Sequence, residues 1–332
     1  MLEILNCPLP ASLQDLGRSG YRHFGVPLSG ALDTFALRLA NALVRNAADA
    51  AALEMRLAGP RLRAHAPVRV ALAHAAAVIE RHEGQREPLP AWHSATLGPG
   101  DILKIGAVQG GAGYLAVAGG FDVPPILGSR STYARAGLGN LLQEGMTLPV
   151  GAADLAGPEL AVLPAPTFLD ESPLRVIPGP QREAFTDEAY ATLFSAAYTV
   201  SRAADRMGLR LDGPALAHVK GADIVSDAVT PGAIQVPGDG LPIVLLADGQ
   251  TVGGYAKIAT VISADLPRLG RLLPGDVVRF AAVSIDAAHA ARAALETRLT
   301  QLIAGLRPAQ TGELDLDALY NCNLVDGVMH AE

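Results

Sequence analysis

Residues 224–262, IVSDAVTPGAIQVPGDGLPIVLLADGQTVGGYAKIATVI, set short apolar runs between turns marked by Gly and Pro. The run Ile243 to Ala247 opens into the polar turn Asp248-Gly249-Gln250-Thr251, followed by the flexible pair Gly253-Gly254 and a lysine-bearing apolar segment. Apolar runs this short, bounded by such punctuation, read as strands. Polar side chains gathered at strand ends are how a ligand site on a β-scaffold is laid out. The same punctuation continues elsewhere, with 35 glycines and 24 prolines dispersed along the chain. A mainly β protein with a few α-helices is expected.

At 332 residues with 50% hydrophobic content, the chain can bury a sizeable core, and its length favours two domains over one. A formal net charge of -7 argues against nucleic acid or an anionic membrane as partner, because phosphates demand clustered Lys and Arg. Small molecules and other proteins are the expected partners. Cys7 and Cys322 lie near opposite ends and make neither a disulfide framework nor a CxxC pair, which suits a reducing cytoplasm. The opening MLEILNCPLPASLQDLG lacks the regions of a secretory signal, and no run reaches the roughly 18 apolar residues of a membrane span. A cytoplasmic location is expected.

The loop QDLGRSGYRHFGVPLSG (14–30) alternates glycines with Arg18, Tyr21, Arg22 and His23, the composition of a shaped binding loop. Leu32, Phe35, Leu39 and Leu43 then recur at helical spacing and predict a helix over 31–45, with Asp33 in its first turn. Backbone N–H groups near Ser29 and Gly30 at that helix start are candidates for holding a carboxylate or phosphate, or for a cap alone. Short strands fill Ala52 to Val117. Among them Glu54 sits between apolar neighbours, where a carboxylate needs a partner. His65, His74, His82 and His93 share no ligand spacing, so no metal site is expected. Arg130, Ser131, Thr132 and Arg135 lie in a second polar loop, 126–140, as candidate anion contacts or as a solvated loop alone.

The Ala/Pro-rich stretch 150–172 marks a domain boundary. The expected division is an N-terminal β-rich domain over 1–160, a second β domain over 170–285, and a C-terminal helix and tail over 286–332. The helix carries Leu295, Leu299, Leu302 and Leu306 on one face. An internal echo links the two β regions: LGPGDILKIGAV (97–108) and LLPGDVVRFAAV (272–283) share a Pro-Gly-Asp turn, suited to type II geometry, and the apolar pattern after it.

The chain has three lysines, Lys104, Lys220 and Lys257. Lys257 lies within an apolar strand, where an ammonium needs a protein or substrate carboxylate. Asp248 and Gln250 end the preceding apolar run; the acid suits proton transfer, and the amide suits a carbonyl or ureido-type group. Gln235, between apolar neighbours, is placed to join them. No GxSxG elbow, no GxxxxGK[ST] loop and no G-x-G-x-x-G after a strand occurs.

Three stretches, QDLGRSGYRHFGVPLSGALD (14–33), SRAADRMGLRLDG (201–213) and GAIQVPGDGLPIVLLADGQTVGGYAKIATV (232–261), resemble the signature segments of the biotin-dependent carboxyltransferase, or allophanate hydrolase subunit 2-like, family. The likeness extends to Val278 and, more loosely, to NLVDGV in the tail. It implies two β-barrel-like domains, the second cyclophilin-like, with the active cleft between them. Carried over by position, Arg18, Ser29 and Asp33 are the first domain's contribution to that cleft. Arg202, Asp205, Arg206, Gln235, Asp248, Gln250, Tyr255 and Lys257 are the second's. Asp227 stands where the family's usual residue is glutamate, and Val252 where a threonine is common. The family includes the C-type, or KipA-type, component of 5-oxoprolinase, which implies ATP held by or shared with a partner, a KipI-type (B-type) protein and a further subunit. The alternatives within the resemblance are a biotin-dependent carboxyltransferase component acting on a urea-like or amide substrate, and a regulatory protein that sequesters a kinase inhibitor. No Met-Lys-Met biotinylation motif is present, so biotin belongs only to the first alternative and would come from another chain.

Overall fold

In a computed structural model describing residues 1–82, 84–166 and 172–309, the first 150 residues form two antiparallel sheets packed face to face. The outer sheet runs, in spatial order, Thr147–Leu148, Leu2–Asn6, Arg61–Ala64, Ile102–Val108, Ala75–Glu80 and Arg86–Leu89. The inner sheet runs Ala11–Gln14, Ala52–Met55, Gly113–Val117, Val68–Ala73 and Ser94–Leu97. Leu2, Ile4, Leu53, Leu62, Val70, Leu72, Leu103 and Leu115 fill the space between them and are fully buried. Strands of the inner sheet are buried on both faces, because helix α1 (Thr34–Leu43) covers the side away from this core. A strand buried on both faces reads as an unbroken apolar run rather than an alternation.

Residues 174–282 build one eight-stranded sheet in the order Val277–Val278, Tyr198–Val200, Gly208–Asp212, Ile243–Leu245, Ala233–Gln235, Lys257–Val261, Leu174–Pro178, Phe280–Ala282. Its two outermost strands are successive pieces of chain separated by Arg279 alone, so the sheet rolls into a nearly closed barrel. The remaining α-helices among the described residues are α2 (Asp187–Ser195), the single-turn α3 (Leu266–Leu269) and α4 (Ile285–Ala304). One continuous apolar cluster joins α1 and the back of the inner sheet to the barrel's Val176, Tyr198, Leu209, Ile234, Ile258 and Phe280. The two β regions therefore share a core, and α1 lies at the seam. A separate two-stranded ribbon, Asp223–Ala228 paired with Val252–Tyr255, stands outside the barrel.

Local details bear on the sequence reading. The first helix begins at Thr34 and ends at Leu43, shorter than the expected 31–45, because Asp33 is its N-cap and accepts from Ala36 N–H at 2.9 Å. The stretch expected only to separate domains also pairs: Leu160–Ala161 forms a ladder with Arg307–Pro308. Leu295, Leu299, Leu302 and Leu306 of the C-terminal segment pack on the shared core, as their spacing predicts. The Pro-Gly-Asp echo is a shared turn: Gly100 and Gly275 have φ of 88° and 98°. In each turn the Asp carboxylate accepts from the N–H three residues earlier, Gly98 at 2.7 Å and Leu273 at 2.8 Å. Among the described residues no helix is long and apolar enough to cross a membrane. Cys322 and NLVDGV lie outside the described residues.

Candidate functional site at the seam

The loop 14–33 is braced from below and pressed against the barrel from above. Asp15 gathers four donors at its carboxylate: the Gly17 and Arg130 N–H groups and the hydroxyls of Ser129 and Ser131, at 2.5–2.8 Å. This ties the loop to the second polar loop, so Ser131 serves the scaffold rather than a ligand. Gly17 and Gly30 have φ of 89° and 88°, and a Cβ on Gly30 would lie 2.8 Å from Gly17 N. Only glycine permits this backbone approach. Ser29 is held at φ 53°, and its N–H donates to Ala247 O of the barrel at 2.8 Å. A non-glycine residue in that conformation is strained, a feature common at ligand sites.

Two charged clusters lie where the loop meets the barrel. In the first, the Arg206 guanidinium spans the seam. Its Nε and Nη2 donate to the two oxygens of Asp248 at 2.9 and 3.1 Å, Nη1 pairs with Glu54 Oε1, and Nη2 also donates to Gly30 O at 2.7 Å. The other Glu54 oxygen accepts from Leu32 N–H at 2.9 Å and from the Tyr114 hydroxyl at 2.7 Å. Burial acts to lower the Arg206 pKa, but the carboxylates of Glu54 and Asp248 outweigh it and raise the value. The Tyr114 hydroxyl is held well above its ordinary range, first by burial and then by Glu54 and Asp33.

The second cluster centres on Lys257. Its Nζ donates to Asp227 Oδ2 at 2.6 Å and to Ala228 O at 3.3 Å. Its N–H donates to Gln181 Oε1 at 3.1 Å. Gln235 lies opposite Lys257 in the ladder, next to a register irregularity. The Gln250 amide donates to Gln235 Oε1 at 3.0 Å. A Cβ on Gly253 would lie 2.5 Å from Gln235 Nε2, so the missing side chain makes room for that amide. From the first half, Arg22 reaches across and donates through Nη2 to Val229 O.

Several buried polar atoms at the seam have no hydrogen-bond partner among the described residues: Arg18 Nη1, Arg22 Nη1, Ser29 Oγ and Gln235 Nε2. Buried polar atoms are nearly always satisfied, so such a group marks a place where a ligand or ordered water belongs. Arg18 is 1% exposed, and its other nitrogens donate to Ile126 O and Ser131 O. Burial lowers its pKa, while the charges of Asp15 and Asp248 raise it. Arg18 and Asp248 are therefore electrostatic neighbours, although they come from opposite halves.

Of the residues singled out in the sequence, Gln235, Asp248, Gln250, Lys257, Arg206, Arg18 and Ser29 are gathered at this seam. Asp33 is fully buried: besides capping α1, it donates its N–H to the Tyr114 hydroxyl oxygen at 2.8 Å and lies 3.4 Å from His74 Nε2. At the helix start the N–H groups of Ser29, Ala31, Leu32, Asp33 and Ala36 are taken by protein acceptors, with Asp33 as the cap. Arg202, Asp205 and Tyr255 are exposed. Asp205 braces its own bend through Met207 N–H and pairs with Arg135 at 3.1 Å. Arg22 of the expected binding loop and Glu54, expected to need a partner, also reach the seam, and Gln181 joins them without a signal in the sequence. For Glu54 the signal was present, a carboxylate inside an apolar strand, but its partner Arg206 lies 152 positions away. A concavity of about 560 Å³ lined by Arg63, Arg81, His82 and Arg86 shares no residue with the seam. Arg63, Arg81 and Arg86 are each paired with a carboxylate.

The sequence profile of the family described as carboxyltransferase domain, subdomain A and B, matches residues 24–282. The chain is 34% identical over 307 residues to the C-type subunit of 5-oxoprolinase from Haemophilus influenzae, spanning 91% of this chain and 97% of that one. Against the corresponding 5-oxoprolinase component of Escherichia coli the identity is 35% over 302 residues, spanning 88% and 94%. Among solved structures, the urea amidolyase of Kluyveromyces lactis superposes with a TM-score of 0.80 at 28% identity, over 95% of this chain but 20% of that one. The profile reaches from the Ser29 turn through the barrel strand of Lys257, both sides of the seam, and the chain belongs to this carboxyltransferase family.

Proposed function

We propose that this chain is the C-type subunit of an ATP-dependent 5-oxoprolinase, opening the lactam of 5-oxoproline to glutamate together with partner subunits. The observation that carries this reading is the set of unpartnered buried groups at the seam, Arg18 Nη1, Ser29 Oγ and Gln235 Nε2, beside the buried Lys257 ammonium. A 5-oxoproline molecule presents one carboxylate and one cis-amide. Lys257 and Arg18 bind the carboxylate, Gln235 and Gln250 bind the lactam amide with a donor and an acceptor, and Asp248 assists proton transfer. Arg206 acts through position: its donors are committed to Glu54, Asp248 and Gly30, so it fixes Asp248 rather than touching substrate.

Relatives that bear the name of the C-type 5-oxoprolinase component, matched over nearly their whole length, support the same substrate. The chain carries no GxxxxGK[ST] loop, so ATP is assigned to a partner, of which a KipI-type (B-type) protein is one and a further subunit another. The site works in the assembled cytoplasmic enzyme and is inert in the isolated chain. The test is ATP-dependent hydrolysis of 5-oxoproline by the reconstituted subunits. Lys257→Ala is expected to lower kcat/KM by roughly tenfold or more, and an unchanged rate would remove Lys257 from the site. The likeness to urea amidolyase favours a second reading, carboxyl transfer from biotin carried on another chain. Biotin dependence of the reconstituted activity would select it.

A further inference from the structure

We propose that Asp227 is the resident counter-ion of an anion pocket formed by Lys257, Gln235 and Arg22 under the ribbon, and that a ligand carboxylate takes its place. The inference rests on the reading that Lys257 receives the substrate carboxylate. Three donors converge on the root of the ribbon. Lys257 Nζ and Arg22 Nη2 donate to the consecutive carbonyls of Ala228 and Val229. Gln235 Nε2 lies against Gly253 on the opposite ribbon strand, and Asp227 and Gly253 face each other in the ladder. Two of these side chains, Arg22 and Gln235, each keep a buried nitrogen with no partner among the described residues. The pocket thus has donors to spare with Asp227 in place.

The pair is lopsided. The Lys257 side chain is 5% exposed and cannot leave; the Asp227 side chain is 51% exposed and sits on strands that pair only with each other. Exchanging one carboxylate for another leaves the charge beside Lys257 unchanged, which avoids the cost of stripping a counter-ion from a buried ammonium. Asp227, already half in water, loses little by moving out. The ribbon it belongs to is mostly exposed, with Val225 at 92%; Ile224 packs on the shared core, so the part free to move is the exposed run from Val225 to Ala228 that carries Asp227. Substrate binding and ribbon release are then one event.

The test uses the full chain and three forms: wild type, Asp227→Asn and the charge-retaining Asp227→Glu. Hydrogen exchange over residues 223–229 and 252–255 is expected to be faster in free Asp227→Asn than in wild type, with Asp227→Glu close to wild type. Equal exchange in all three would overturn the latch whatever the ligand. By calorimetry, 5-oxoproline is expected to bind Asp227→Asn about fivefold more tightly, the range an exposed ion pair supplies; equal or weaker binding would overturn the displacement. Acetate is titrated in parallel as a bare carboxylate. If acetate speeds ribbon exchange in wild type and 5-oxoproline does not, the latch stands and the substrate assignment falls. If neither anion changes ribbon exchange, the latch falls.

Discussion

Around Arg206 every partner is buried: the side chains of Glu54 and Asp248 are 3% and 10% exposed. Around Lys257 the cation is buried and its carboxylate stands half in solvent. Both clusters join segments remote in sequence, yet their physics differs. Removing Arg206, itself 19% exposed, strands two buried carboxylates, so the Arg206 cluster resists change. An exposed partner can be exchanged for water or ligand at small cost, so the Lys257 cluster is suited to turnover. The seam pairs a permanent fastening with a replaceable one.

The largest effect that would expose this contrast is Arg206→Met, which strands Glu54 and Asp248 together. A loss of about 3–5 kcal/mol in unfolding free energy by denaturant titration is expected. A loss below about 1 kcal/mol would erase the distinction between the clusters. Next comes Glu54→Gln, which keeps an acceptor for the Leu32 N–H and Tyr114 hydroxyl but removes the charge facing Arg206. About 2 kcal/mol is expected, measured in the same way. Lys257→Met should leave the melting temperature close to that of wild type while abolishing 5-oxoproline binding; a melting temperature as low as that of Arg206→Met would make both clusters structural.

The smallest and most specific effect is a titration. The hydrogen bond from Lys257, with the Ala228 N–H, holds the Asp227 carboxyl below its usual range. A carboxyl whose pKa is depressed by folding stabilises the folded state above its unfolded value. That contribution is lost as pH falls through the lower, folded value. The Lys257–Asp227 tie is therefore intact from the ordinary Asp value of about 3.9 through neutral pH, and on the acid side opens only below that value. Carboxyl-carbon NMR of Asp227 should show a midpoint under that value in wild type and a return toward it in Lys257→Met. A wild-type midpoint at or above that ordinary value would mean that the tie does not form in solution.

The strands were legible because Gly and Pro bracket short apolar runs, and the helix because Phe35, Leu39 and Leu43 keep its period. Its start was misplaced because Asp33 works as a cap, with its side chain turned back on Ala36 N–H, and not as a first-turn acid. Two-residue strands such as Leu160–Ala161 carry no period at all, and only a partner near residue 307 reveals them. At the seam, Lys257, Gln235 and Asp248 were readable as polar residues set into apolar strands. Their pairings were not: Lys257 with Asp227, Asp248 with Arg206 and through it Glu54, and the reach of Arg22 to Val229 O are contacts that only the folded chain creates.

The barrel closes on itself through two strands divided by Arg279, and this fixes the order in which a growing chain can be completed. The strand Leu174–Pro178 has its parallel partner in Phe280–Ala282, so one side of it stays unpaired until translation has passed residue 280. The two sheets of the sandwich take all their strands from residues up to Leu148, which pairs with Leu2, so their ladders can form first. An unpaired strand edge is a template for association with other chains. During synthesis, the interval between residues 178 and 280 is when that edge stands open.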